Sequence, residues 1–200
     1  MGNEIRVSII CLCIIRNQAA QYLLGVNENR RHREYQVLMP LGGAYYHDAE
    51  SGIRHWILNY EKPDSLELRF TSRVENLPQI EQWFLSRKER ETTPLRELYE
   101  ELVLEYKVLP TLSASHVEMK FVGNVIRDRI TDRTGAEGKI THYLIELFEV
   151  NFVANIFEKA MLSDKPESGL FWVTTEDIKR RFLHNSTLQI DAEIILTPHN

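Results

Sequence analysis

Apolar and polar positions change over in short blocks along this chain, and the blocks predict a mixture of strands and helices. Residues 5–15 (IRVSIICLCII) are apolar on both alternating faces and rich in β-branched side chains, as in a central strand covered on both sides. Tyr22 to Val26 reads as the next strand, after a turn at Asn17-Gln18, and Asn27 to Arg33 as a polar, basic loop. Tyr35 to Met39 reads as a third strand, stopped by Pro40 and followed by Gly42-Gly43. Ile53 to Tyr60 is short and apolar, and Leu66 to Phe70 alternates as a strand does. Leu77 to Arg87 carries Ile80, Trp83, Phe84 and Arg87 at helical spacing, three apolar side chains and an arginine stem on one face. Thr93 is a good N-cap and Pro94 suits the first helical position, so a helix is expected from there to about Tyr106, with Pro110 closing off any continuation. Val117 to Arg127 and Ile140 to Val153 are long strands joined by a hairpin loop, Asp128–Lys139, that holds two glycines. Leu170 to Thr174 is a last short strand, and Thr174-Thr175-Glu176-Asp177 caps a helix through about Leu183.

Composition narrows the class. The 200 residues are 43 % hydrophobic and 26 % charged, which suits one globular domain without repeats, low-complexity tracts or an internal linker. The net charge is −5, so any nucleotide binding must rest on a local pocket. No basic stripe with interleaved aromatics appears, which argues against a DNA or RNA polymer as partner. The longest apolar run, Val7 to Ile15, is far short of the ~20 residues that span a bilayer, and no signal peptide precedes it. Cys11 and Cys13 fall on one face of the first strand as small buried hydrophobes, which fits a reducing, cytoplasmic compartment.

The candidate chemistry lies on the helix after Pro94. In Arg96-Glu97-Leu98-Tyr99-Glu100-Glu101, residues three and four apart share a face, so Glu97 sits beside Glu100 and Glu101, and Arg96 reaches Glu100. Converging carboxylates suit a hard divalent cation such as Mg²⁺, and a solvated acidic helix face is the alternative. Arg-Glu-Leu-x-Glu-Glu also resembles the second half of the Nudix box, and Pro40-Leu41-Gly42-Gly43 resembles its start. The closing run Phe171 to Ile178 is similar to a late Nudix strand and helix. The expected fold is therefore α/β: a Nudix-like α/β/α sandwich with a mixed sheet. It would be a single domain over residues 1–200, with an inserted strand-and-helix cap over about 44–93 near the pocket mouth. The insertion separates the two halves of the box: spacing from Gly43 would set the arginine at position 57, where Ile57 stands, and the arginine is Arg96. The early glutamate of the box has no clean match, and Val103 stands where the box has glycine.

Leu66-Glu67-Leu68-Arg69-Phe70, Trp83-Phe84, and Arg90 through Glu97 with Glu100-Glu101-Leu102 resemble the SMODS-associated Nudix family, as does Pro40 to Tyr46. The resemblance implies a bacterial anti-phage (CBASS) effector. Its functional neighbour would be a cyclic-oligonucleotide synthase whose product the domain senses. In some systems of that family the domain follows two transmembrane helices, so this chain would be either a soluble member or the soluble part of a membrane-anchored effector. Homo-oligomerisation is left open. The alternative is a Mg²⁺-dependent hydrolase of nucleoside diphosphate-linked substrates. There Glu97, Glu100 and Glu101 would be the metal ligands and catalytic carboxylates, and Arg96 a structural salt bridge. The interrupted box and Val103 favour sensing, because binding tolerates looser placement than catalysis.

The expected ligand-binding residues are Gly42, Gly43, Tyr45, Arg127 and Arg129, the arginines for phosphate and Tyr45 for a base. Arg133 and Lys139 in the same stretch admit that reading too, against a solvated loop balanced by Asp128 and Asp132. His142 and Tyr143 face opposite ways on a strand, so at most one reaches the pocket. Trp56 and Trp83 are expected to form the core of the insertion.

Overall fold

The computed structural model describes residues 3–30, 34–153 and 168–197. Positions 31–33 of the expected 27–33 loop and the last three residues of the chain lie outside the described residues. The architecture is mixed α/β, with two sheets where one mixed sheet was expected. The larger contains β1 (Glu4–Ile15), β4 (Asn59–Tyr60), β5 (Arg69–Arg73), β6 (Val117–Ile130) and β7 (Ile140–Phe152), in the order β4-β5-β1-β7-β6. The smaller contains β2 (Tyr22–Val26), β3 (Val37–Pro40), β8 (Leu170–Val173) and β9 (Gln189–Ile190), in the order β8-β2-β3-β9. β1 runs parallel to β7 and antiparallel to β5. Among the described residues the α-helices are α1 (Leu77–Ser86), α2 (Leu95–Tyr99) and α3 (Thr175–Arg180).

β1 is central and two-faced, as its uninterrupted apolar run demands. Val7, Ile9, Cys11, Cys13 and Ile15 enter one core; Leu12 and Ile14 enter a second core with β2, β3 and the C-terminal residues Ile194 and Ile195. Two apolar faces need two covering layers, and the small sheet supplies one of them. Cys11 and Cys13 are buried free thiols, and desolvation pushes both well above the usual thiol range. Neither is a nucleophile near neutral pH.

The segment 44–93 does not stand apart. It supplies β4 and β5 to the large sheet, and Ile53, Leu68, Phe70, Ile80, Trp83 and Phe84 join the same core as β1. Trp56 packs on that core from its edge, and Leu66 remains partly exposed. Burying each large apolar side chain stabilises by ~1.5–3 kcal/mol, and six of them hold this segment down. Limited proteolysis of the folded protein should therefore leave 44–93 uncut; early cleavage inside α1 or β5 would show that the segment opens independently.

Several boundaries differ from the sequence expectation. The strand around Phe70 begins at Arg69 and continues to Arg73, because its register is set by pairing with Glu4–Ser8 of β1. β6 runs on to Ile130, so Arg127, Asp128 and Arg129 lie on a strand and the hairpin loop shortens to 131–139. α2 is capped at Pro94 with no side-chain capping bond, so Thr93 does not serve as N-cap. α3 ends at Arg180, where Arg181 turns left-handed (φ 64°), and Thr174 and Asp177 close a reciprocal capping box at its start.

Candidate functional site

A cleft opens between the two sheets. Its floor is the outward face of β1, where Arg6, Ser8, Ile10 and Leu12 alternate with the core residues. The Pro40–Gly43 turn, β6, β7 and the end of the acidic helix form its walls. The turn touches the helix directly. The backbone N–H of Gly42 donates to Glu101 Oε2 at 2.7 Å, and a Cβ on Gly43 would lie 2.0 Å from Glu97 Oε2. Gly43 is thus required by the close approach of a carboxylate.

The three glutamates expected at one face divide their roles. Glu97 and Glu101 meet the glycine turn, whereas Glu100 turns back to Arg96, with both oxygens 3.0 Å from Nη1. Arg96 also donates to Glu91 (2.8 and 2.9 Å) and to the Ala44 carbonyl (2.7 Å), lies 2.8 Å from Glu97, and stacks 4.0 Å from the Tyr46 ring centroid. It ties the helix to the loop after Gly43. Burial works against its charge, but Glu91, Glu97 and Glu100 more than offset this and hold its pKa above the ordinary value. Glu91 is the acidic partner that spacing did not single out, since it lies five residues before Arg96 and not eight. Glu89 does other work: it accepts from Gly52 N–H at 2.8 Å and Ser51 Oγ at 3.1 Å, fastening the start of the 44–93 segment.

Beyond Tyr99 the helix widens. Residues Glu100–Glu105 form a π-helical turn, and Tyr106 N–H donates to the Glu101 carbonyl at 2.7 Å. A π-turn accommodates an extra residue and is frequent at functional sites. Here it brings Glu101, Glu105 and Tyr106 to the cleft, where Tyr106 also donates to the Val26 carbonyl at 3.0 Å. Burial raises the pKa of Glu101 well above the usual carboxylate range against the Gly42 bond, with nearby Glu97 adding to the rise, and burial raises Glu97 as well. Because the folded value of Glu101 exceeds its unfolded one, the stability it contributes is fully present below the unfolded pKa and is lost as pH rises through the folded pKa. Glu101→Gln should therefore be more stable than the parent at neutral pH and above. The gap between urea midpoints should widen with pH and close near pH 4; a gap that stays constant would place Glu101 in a solvated setting.

The opposite wall is cationic. Among the described residues six arginines line the cleft: Arg6, Arg30, Arg69, Arg127, Arg129 and Arg133. Arg127 and Arg129, two apart on β6, share a face, and both line the cleft. Arg6, Arg30 and Arg69 come from β1, a turn after β2, and β5, and nothing in their local sequence marks them. Four of the six are held by carboxylates. Arg6 is ion-paired to Glu61, Arg69 to Glu67, Arg129 lies 2.9 Å from Asp191, and Arg30 lies 2.9 Å from Asp191 and 3.2 Å from Asp132. Among the described residues Arg133 has only Glu61, at 4.0 Å, as a carboxylate partner, and the Arg127 guanidinium makes no hydrogen bond or ion pair. Desolvation lowers the pKa of both. Neighbouring Arg129 adds to this at Arg127, and Arg69 and Arg6 help bring Arg133 down to about 10.

Tyr45 does not serve the cleft. It is fully buried on the other side of the large sheet, donating to Glu146 Oε2 at 2.7 Å, with Arg90 4.9 Å from its ring centroid. The aromatics that do line the cleft are Tyr106 and Tyr143. His142 faces away, 2.7 Å from Asp128 and 3.1 Å from Glu81.

The fold and this turn-and-helix arrangement define a domain of Nudix type. The chain belongs to the SMODS-associated NUDIX domain family, whose model matches residues 4–196. It is thus a Nudix-type domain associated with SMODS (CBASS) systems, and nucleotide synthesis is the functional context of that association. The solution structure of the E. coli ORF135 protein matches at 13 % identity over 86 % of this chain and 77 % of that one, with a TM-score of 0.33, too loose a likeness to argue from. Among curated proteins none matches this chain. No helix among the described residues is long and apolar enough to cross a membrane.

Proposed function

We propose that the cleft binds a nucleotide second messenger of the cyclic-oligonucleotide class, and that the domain is the cytoplasmic sensor of an anti-phage effector. The observation that carries the reading is the convergence of six arginines in one cleft of a protein whose net charge is −5. Guanidinium groups match phosphate oxygens in a bidentate way, and a cleft lined by them concentrates a polyanion. The acidic wall at Glu101 and Glu105 and the tyrosines Tyr106 and Tyr143 offer acceptors and stacking surfaces for bases. The family's association with nucleotide synthases supplies the matching source of ligand.

The hydrolase alternative asks Glu97, Glu100 and Glu101 to hold Mg²⁺. As arranged they do not fit it: Glu97 and Glu100 are engaged by Arg96 and Glu101 by Gly42. Among the described residues no three carboxylate, histidine or cysteine groups are grouped to hold a metal ion. Catalysis would require Glu100 to leave Arg96.

Titration calorimetry against cyclic di- and trinucleotides, ADP-ribose and dinucleoside polyphosphates, with recovery of the ligand, separates the two readings. The sensor reading expects a cyclic nucleotide bound and recovered intact. Arg127→Ala should weaken it about tenfold or more, since a charge-assisted hydrogen bond contributes ~1.5–3 kcal/mol. Glu101→Gln should weaken it much less. Multiple turnover of a linear diphosphate with Mg²⁺, abolished in Glu101→Gln, would make the protein a hydrolase.

A further inference from the structure

The six cleft arginines are not equivalent. Arg6, Arg30, Arg69 and Arg129 each have a carboxylate in contact, so an incoming anion there would compete with a bond already made. Arg127 has no such partner among the described residues, and the nearest carboxylate oxygen to Arg133 is 4.0 Å away. Arg127, with Arg129 beside it, also lines the side groove that holds Arg181, Phe182 and Gln189, and Arg133, with Arg6 beside it, lines the one that holds Tyr60, Lys62 and Lys139, so what sets the two apart is the missing close carboxylate.

Resting on the sensor reading of this cleft, we infer that Arg127 and Arg133 are its two anion-accepting positions, and that the ligand carries two phosphates separated by at least one nucleoside. The separation follows from the backbone. From Arg127 to Ile130 the strand advances about 10 Å at ~3.3 Å per residue, and Arg133 lies beyond it in the hairpin loop. The two phosphates of a pyrophosphate share a bridging oxygen and would gather at one guanidinium, whereas phosphates flanking a nucleoside reach both arginines. The committed arginines then act as a fixed positive surround, with Glu61, Glu67 and Asp191 keeping four guanidiniums in place before the ligand arrives.

Two measurements test this. In the first, the whole protein is treated with phenylglyoxal and the modified arginines are mapped by mass spectrometry over time. Uncommitted guanidiniums react first, so Arg127 and Arg133 should precede Arg129. Exposure alone predicts otherwise, since the Arg129 side chain is 41 % exposed and that of Arg133 only 24 %. Modification of Arg129 before Arg133 would overturn the assignment. In the second, binding of the dinucleotide pApA, of ADP and of a cyclic dinucleotide panel is compared in the parent, Arg127→Ala and Arg133→Ala. Ligands with separated phosphates should bind at least tenfold tighter than ADP, and each substitution should remove most of that advantage. ADP binding as tightly as the others, or indifference to Arg133→Ala, would overturn the two-phosphate ligand. If no nucleotide binds, the sensor reading and the two-phosphate ligand fall together, while the order of modification still decides the two arginines.

Discussion

Glu146→Ala should destabilise the folded protein by about 3–5 kcal/mol, a large fraction of the ~5–15 kcal/mol that holds a domain together. Glu146 is fully buried on β7, and three groups from the 44–93 segment converge on it. Tyr45 donates to one oxygen at 2.7 Å; Arg90 donates to the other at 2.7 Å, and Arg87 Nε lies 3.0 Å from it. The Arg90 side chain has no exposure and cannot swing to water, so truncation strands a buried cation. The Arg90 contacts to the Phe84 and Glu91 carbonyls and to the ring of Phe84 keep it in place without neutralising it. Urea unfolding reads the loss directly. Replacing Glu146 and Arg90 together by methionine should recover part of it, because the desolvation cost of the pair disappears with the pair. A loss under about 1 kcal/mol for the single variant would mean that water reaches the cluster.

Gly42→Ala should cost roughly 2–5 kcal/mol, from two separate sources. The residue has φ +132°, which side-chain-bearing residues rarely adopt, and an added Cβ would lie 2.2 Å from the Cys11 carbonyl oxygen, part of the rigid central strand. Gly135, at φ +83° with nothing within 4 Å of an added Cβ, separates the two. Gly135→Ala should show the backbone strain alone, about 1 kcal/mol, and the difference in urea midpoints between the variants measures the clash. Gly42→Ala should also disturb the bond to Glu101, so its effect on nucleotide binding should exceed that of Glu101→Gln.

What could be read from the chain and what could not follow a pattern. The runs that made β1, β2, α1, β7 and the acidic helix recognisable are local: each side chain's neighbours three, four or two positions away decide which face it shares. The Arg96–Glu100 pair and the approach of Glu97 and Glu101 to Gly42-Gly43 came from such spacing together with the order of motifs. Glu100 was misplaced among the pocket carboxylates for the same reason, since spacing admits it to that face and only its bond to Arg96 takes it away. The acidic helix ends near Tyr106 as its pattern indicated, but its change from α to π after Tyr99 was not legible, because a π-turn differs from an α-turn by one hydrogen-bond step, which no side-chain pattern here announces.

The sequence by itself determined the central two-faced strand, the glycine turn, the arginine-anchored acidic helix and the two long strands that pair as β6 and β7. In each the deciding forces act between residues close along the chain. The tertiary structure alone decided the rest. It split the strands into two sheets, because an apolar face specifies that it must be covered but not by what. It turned Tyr45 inward to Glu146, because a buried carboxylate on β7 needs donors and the loop after Gly43 passes above it. It also gathered Arg6, Arg30 and Arg69 beside Arg127, Arg129 and Arg133. A net charge of −5 hides that cluster, because charges far apart in sequence become one electrostatic site only when strand pairing brings them within a few ångströms.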